Sequence, residues 1–185
     1  MDNNRNNNPG KLLKLRNSVI KLENKMSKLE KEPLNSEQGP SKLEKTKLKC
    51  QRKKSKIVKQ VELYRNNGKT FEKDEKYTEA IKCYNLVLKI TPNDIRVLIS
   101  TAKLYEILEN YDKALMYYDT ILKLDHHHLG AINAKMKIFE TIGNYEGALE
   151  CYEDILKLDP YNKTVKKKLD ALNKSNVRKH MVGIL

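Results

Sequence analysis

Histidines and cysteines are the side chains of this sequence best suited to metal binding or nucleophilic chemistry. Residues 126–128 are three consecutive histidines, and consecutive side chains rarely all face one ion, so a polar loop is the better interpretation. Cys50, Cys83 and Cys151 form no CxxC pair, which a cysteine-based zinc site would use. Their odd number also disfavours a disulfide framework. Neither a metal site nor a catalytic cysteine is therefore predicted.

Enzyme signatures are missing from the sequence. It contains no GxxxxGK[ST], GxGxxG, GxSxG or HExxH motif, so it predicts no phosphate-binding loop, nucleophile elbow or zinc-protease helix. Most of the tyrosines recur at a fixed period and are interpreted as packing residues: Tyr77, Tyr84, Tyr111, Tyr118, Tyr145 and Tyr152. We expect a non-enzymatic protein without a cofactor.

The net charge of +13 is unevenly distributed over the 185 residues. Residues 1–60 hold 17 basic and 6 acidic side chains, a net charge of +11, whereas residues 61–162 have a net charge of −4 and residues 163–185 one of +6. Two basic ends favour attraction to nucleic acid, anionic lipid or an acidic protein. Solvated, solubilising tails are an equally good interpretation.

The apolar segments are short, so no membrane-spanning helix is predicted. The first ten residues, MDNNRNNNPG, lack the apolar core of a secretory signal, and a cytoplasmic protein is the expectation.

The middle of the chain repeats with a regular period, in the units 61–94, 95–128 and 129–162. The segments YTEAIKCYNLVLKITP, YDKALMYYDTILKLDH and YEGALECYEDILKLDP align without gaps. Within each segment, apolar residues follow a 3.6-residue period that predicts an amphipathic helix. The preceding halves carry a second such pattern, and short polar breaks separate the two. Each unit therefore predicts a helical pair that must stack on its neighbours to bury a core.

This unit resembles the tetratricopeptide repeat. The resemblance rests on Gly68 and Ala102 in the first helices and on matching residues in all three copies: Phe71, Tyr105 and Phe139; Ala80, Ala114 and Ala148; Tyr84, Tyr118 and Tyr152. It implies an all-α fold, a right-handed solenoid of antiparallel helix pairs. Met136 departs from the pattern, because a small residue is expected there, and predicts a wider crossing of the third pair.

The resemblance also implies a protein-binding scaffold whose first helices line a concave groove for a peptide or helix. Carried over by register, the groove residues are Arg65, Lys69, Lys73, Arg96, Ser100, Lys103, Asn133, Lys137 and Lys167. Their positive charge favours an acidic ligand, with solvated helix faces as the alternative. One subclass of the family clamps the terminal carboxylate of heat-shock chaperones. Of the five corresponding residues here, only Arg65 has the required chemistry, so no such clamp is predicted.

The N-terminal third has a different organisation. Residues 1–10 form an Asn-rich tail that we expect to be disordered, and 11–32 form an amphipathic helix. Its apolar residues at 12–29 have heptad spacing, which allows a coiled-coil homodimer, a helix folded back on the repeats, or a marginal isolated helix. Residues 33–60 are predicted to be a linker and a basic segment, in which the helical pattern resumes only near Ile57.

The basic segment offers an anion-binding patch at Arg52, Lys53, Lys54 and Lys56. Together with the basic C-terminal flank, this segment gives the second candidate function, a nucleic-acid-associated adaptor that binds phosphates. No aromatic residue occurs between positions 1 and 63, so binding there would rest on phosphate contacts rather than on base stacking. Residues 163–185 are predicted to be a capping helix followed by a basic tail.

Overall fold

The chain is all α-helical, as predicted, in a computed structural model that describes residues 9–30 and 42–182. The helices of this part of the chain are α1 (Pro9–Glu30), α2 (Lys42–Lys73), α3 (Tyr77–Ile90), α4 (Ile95–Ile107), α5 (Tyr111–Leu124), α6 (Leu129–Thr141), α7 (Tyr145–Leu158) and α8 (Lys163–Val182). They form two compact units, Met1–Val97 and Leu98–Leu185. Most of the predicted disordered tail, residues 1–8, lies outside the described residues.

The second helix of each pair packs through the stripe that the sequence predicts. Ala80, Ala114 and Ala148 are at most 1% exposed, and the tyrosines four positions later are at most 3% exposed. The alanines carry only a methyl group, so the paired helices can approach closely there. The apolar stripes of α3, α5 and α7 thus supply much of the core of the two units.

A repeated turn joins the two helices of each pair. Its central residue has a left-handed backbone, with φ of +58° at Glu75, +54° at Glu109 and +71° at Gly143. The next amide donates to a carbonyl five residues earlier, as in the bond from Asn110 N to Tyr105 O (2.8 Å). This pattern is a Schellman motif, which satisfies the last carbonyls of the first helix.

The residue that completes this motif also begins the second helix. Asn110 Oδ1 accepts a hydrogen bond from the amide of Lys113, and Asn144 Oδ1 accepts one from Gly147 (3.0 Å). Lys76 has a similar backbone conformation but makes no side-chain cap. A single residue therefore closes one helix and opens the next in repeats two and three.

The turns between pairs are capped in a second way. Asp94, His128 and Asn162 occupy equivalent positions of successive repeats, and each accepts a hydrogen bond from the amide three positions later. Each side chain thereby satisfies one of the amides that have no partner inside the following helix. The repeat period therefore extends to the hydrogen bonds that define the helix ends.

Helix α2 begins earlier than predicted. The sequence pattern indicated a helix only from near Ile57, but α2 starts at Lys42, so the basic segment before Ile57 is also helical. Cys50, Ile57 and Val61 lie on one buried side, and the half-buried Lys54 occupies the position between the first two. A lysine stem can cover apolar surface while its ammonium group stays in water. Because charged residues surround these positions in the sequence, the pattern did not indicate that the buried side of α2 includes Cys50.

Helix α1 packs against α2 and α3, the fold-back arrangement among the three alternatives. Leu22 is 8% exposed, and Val19 and Met26 of the same heptad series are half-buried. Between Leu15 and Met26, the apolar seam is therefore packed within the chain. A coiled-coil dimer through 12–29 would require α1 to leave this position.

The end of the repeat array is covered by α8, which contacts α7. Val165 is buried, and Leu169 and Leu172 pack against the core cluster of repeat three. Met136 lies in the same cluster although a small residue was expected there. A β-carbon added at Gly147 would lie 2.8 Å from Phe139 Cδ2, so glycine allows a close approach in this pair.

Candidate functional site

Three lysines occupy equivalent positions on the first helices of the three repeats. Lys69, Lys103 and Lys137 lie on α2, α4 and α6 respectively, and all three are exposed. Within the described residues, none of them forms a salt bridge. We call these residues the lysine column. They present one ammonium group to solvent from every repeat.

The acidic residues three positions after these lysines are turned toward the second helix. Tyr84 Oη donates to Glu72 Oε2 at 2.7 Å. The same bond links Tyr118 to Glu106 and Tyr152 to Glu140, so it occurs once in every repeat. Each of these carboxylates thus accepts a hydrogen bond from a tyrosine hydroxyl of the second helix.

Burial and the hydrogen bond to glutamate both raise the pKa of the tyrosine hydroxyl in repeats two and three. Burial and the neighbouring carboxylate of Glu106 both raise the pKa of Tyr118. Burial and Glu140 do the same to the pKa of Tyr152. Both phenols therefore stay protonated at neutral pH and remain hydrogen-bond donors.

Glu140 has an additional partner on the capping helix. Lys168 Nζ lies 2.7 Å and 2.9 Å from its two carboxylate oxygens. Burial raises the pKa of Glu140, but the hydrogen bonds from Lys168 and Tyr152 and the charges of Lys168 and Lys137 outweigh burial and lower it. The carboxylate is therefore ionised and held by two helices besides its own.

Arg65, the first of the predicted groove residues, is engaged within the chain. Its guanidinium Nη2 lies 2.6 Å from Asp94 Oδ2, and Nη1 contacts Glu62. Asp94 is the residue that caps α4, so Arg65 fixes a helix end. This role was missed because it depends on a contact between side chains that lie far apart in the sequence.

The other predicted groove residues lie on first helices or on the capping helix. Exposed positions are held by Lys73, Arg96 and Lys167, whereas Ser100 and Asn133 are half-buried. Asn133 Nδ2 donates to the carbonyl of Leu129 (2.9 Å). The exposed members of the predicted groove set are therefore cationic. In Leu98–Leu185, its exposed lysines are Lys103, Lys137 and Lys167.

The three consecutive histidines make hydrogen bonds within the chain, and the thiols of Cys83 and Cys151 are at least partly buried. His128 caps α6, the His127 amide binds Asp125, and His126 Nδ1 contacts the carbonyl of Leu122. Burial raises the pKa of the Cys151 thiol to about 11 and also raises that of Cys83. Neither thiol is a ready nucleophile at neutral pH, because the reactive species is the thiolate.

Among the described residues, no group of three or more histidine, cysteine, aspartate or glutamate side chains could hold a metal ion. In the same part of the chain, no helix combines the length and the apolar character needed to cross a bilayer.

Comparison with solved structures shows the fold. The first repeat domain of Spaghetti (RPAP3) bound to an HSP90 peptide matches with a TM-score of 0.52 at 21% identity, covering 63% of this chain and 93% of that one. A tetratricopeptide repeat protein from Parabacteroides merdae matches with a TM-score of 0.58 at 22% identity, covering 89% and 60%. The second repeat domain of human RPAP3, in complex with an HSP70 peptide, matches with a TM-score of 0.50 at 21% identity, covering 61% and 98%.

Comparison with protein families shows where this chain belongs. No curated protein sequence matches it. The family model for the tetratricopeptide repeat matches residues 61–94, 95–128 and 137–162, which together make up just over half of the chain. The chain is therefore a member of the tetratricopeptide repeat family.

Proposed function

We propose that this protein is a non-enzymatic scaffold that binds acidic segments of a partner protein through lysines exposed on its first helices. Tetratricopeptide repeats are protein-interaction modules, which makes binding the general expectation for the chain. The lysine column carries the specific part of the proposal. Its three ammonium groups are exposed at one position of every repeat, and the nearby carboxylates are occupied by tyrosine hydroxyls.

The acidic character of the ligand follows from charge complementarity. A carboxylate that reaches Lys103 or Lys137 would form a charge-assisted hydrogen bond without displacing an existing salt bridge. The peptides in two of the matching structures, SRMEEVD and SGPTIEEVD, are themselves acidic, which agrees with this choice. Here Ser100, Gly130 and Ala134 lack the chemistry of the terminal-carboxylate clamp. The proposal therefore concerns acidic side chains within a segment.

The test uses a display library of short random peptides selected against the full chain. The selected peptides are expected to be enriched in Asp and Glu. The triple variant Lys69→Gln/Lys103→Gln/Lys137→Gln should bind them at least about tenfold more weakly, because three charge-assisted contacts are lost.

The repeats offer a matched control for this variant. Lys89, Lys123 and Lys157 are also exposed and also occupy equivalent positions of the three repeats, but they lie on the second helices. Their triple substitution to Gln removes the same charge and should leave peptide affinity nearly unchanged. Equal losses of peptide affinity in both variants would show that only net charge matters, and this result would refute the proposal. Selected peptides without acidic enrichment would do the same.

A further inference from the structure

Helix α2 carries a row of cationic side chains on one exposed side. Lys45, Lys49, Arg52, Lys53 and Lys56 follow each other at i, i+4, i+7, i+8 and i+11, which places them along one side of a helix. They line one surface pocket together with Leu48. No acidic residue occurs between positions 45 and 61. We call these five residues the basic stripe.

The packing of α2 fixes the orientation of the basic stripe. Cys50, Ile57 and Val61 are buried on an adjacent side of the helix, roughly 115° around the axis from the centre of the stripe. Lys54, which the sequence placed in the same anion-binding patch, instead lies 3.9 Å from Glu23 of α1. It is therefore excluded from the stripe.

Helix α1 extends the cationic surface. Lys53 and Lys56 line a second surface pocket with Lys21 and Ser18 of α1. Lys21 is exposed, so a sixth positive charge lies beside the C-terminal end of the stripe. The result is a cationic surface built from two packed helices rather than from a loose tail.

We propose that the basic stripe binds the phosphate backbone of double-stranded DNA without reading its sequence. The stripe extends over about eleven residues of helix, about 16 Å, whereas the major groove of B-DNA is about 12 Å wide. A helix laid on that groove could reach phosphates on both of its sides. The deep, narrow major groove of double-stranded RNA offers a poorer fit.

The composition of the stripe disfavours other ligands. Residues 1–63 contain no aromatic side chain, so single-stranded bases have no stacking platform there. Leu48 is the apolar member of the pocket lining, whereas helices that lie in a membrane surface present a whole apolar face. The ligand is therefore expected to be recognised through its phosphates alone, which gives affinity but no base specificity.

The test measures binding of a fluorescently labelled DNA duplex to the full chain by anisotropy between about 50 and 200 mM KCl. Five phosphate contacts predict that log K falls with log salt at a slope of about −4.5, a loss of roughly 500-fold over this range. The variant with all five stripe residues changed to Gln should lose nearly all of this salt dependence. Glutamine propagates a helix about as well as lysine, so circular dichroism should show that α2 is retained.

A matched control neutralises five exposed lysines elsewhere: Lys82, Lys89, Lys123, Lys163 and Lys174. This variant has the same net charge and should keep its affinity for the duplex. Equal losses in both variants would show that only net charge matters and would overturn the proposal. It would also be overturned by preferential binding to vesicles of anionic lipid or to an RNA duplex at the same salt concentration.

Discussion

The contact between Gly68 and Tyr84 makes a stringent test of how the first repeat packs. A β-carbon added at Gly68 would lie 2.5 Å from Cε1, 2.8 Å from Cδ1 and 3.0 Å from Cζ of the Tyr84 ring. The ring has little room to move, because it is 1% exposed and its hydroxyl is bonded to Glu72. The variant Gly68→Ala should therefore force α2 and α3 apart.

Two opposing effects set the magnitude for Gly68→Ala. Overpacking of a well-packed core typically costs about 1–3 kcal/mol. Alanine in a helix interior is favoured over glycine by about 1 kcal/mol. Since the clash involves a ring held at both ends, overpacking should cost about 2–3 kcal/mol, which leaves a net destabilisation of about 1–2 kcal/mol. For a chain of this length that is a decrease in Tm of roughly 2–8 °C.

Urea and thermal unfolding followed by circular dichroism provide the assay. Asn67→Ala is the matched control, because Asn67 is the exposed neighbour of Gly68 on the same helix and gains helix propensity without a clash. Asn67→Ala should leave stability unchanged or slightly higher. If Gly68→Ala were as stable as the wild-type chain, the close approach of α2 and Tyr84 would be refuted.

Three further outcomes follow from the helix ends and from one ion pair. Lys76→Asn should add about 0.5–1 kcal/mol to the free energy of unfolding by creating the side-chain cap that repeats two and three have; an unchanged urea midpoint would contradict this. Glu109→Gly should also stabilise, by about 0.5–1 kcal/mol, because glycine tolerates a φ of +54°, and a lower Tm would argue against it. The lowered pKa of Glu140 means that its stabilisation is present above the unfolded pKa and is lost as pH falls through the folded pKa. The stability difference between wild type and Lys168→Gln should therefore shrink as pH falls below the ordinary pKa of glutamate and through the lowered pKa of Glu140, whereas a difference independent of pH in urea titrations would rule out this linkage.

The repeat period was sufficient to predict the helices and their buried stripes. Ala80, Ala114 and Ala148 recur at one position of the three aligned segments, and they are almost fully buried. Such positions are predictable because the helical period and the repeat period both constrain them. The turn residues were recognised as polar breaks, but their left-handed backbone was not, since Glu75 and Glu109 carry no sequence sign of a positive φ.

The interactions of charged side chains were harder to predict. Glu72, Glu106 and Glu140 recur with the repeat period, and this recurrence could have indicated a shared partner. The partner is a tyrosine hydroxyl twelve residues later, which becomes adjacent only after the hairpin closes. For the same reason Arg65 was assigned to the groove although its guanidinium is bound to Asp94. The repeat register identifies equivalent residues. It does not predict which side chains come into contact once the helices have packed.

The continuity of α2 determines how two ligands could share this protein. Lys56 of the basic stripe and Lys69 of the lysine column lie on one uninterrupted helix. The interval between these two positions corresponds to an axial distance of about 20 Å and a rotation of about 220°, so the two side chains leave the helix in nearly opposite directions. With a flexible linker between the two sites, the distance and angle between two bound molecules would vary. A continuous helix acts as a rigid spacer, so a duplex and a peptide bound at these two points would be held at a fixed distance and angle.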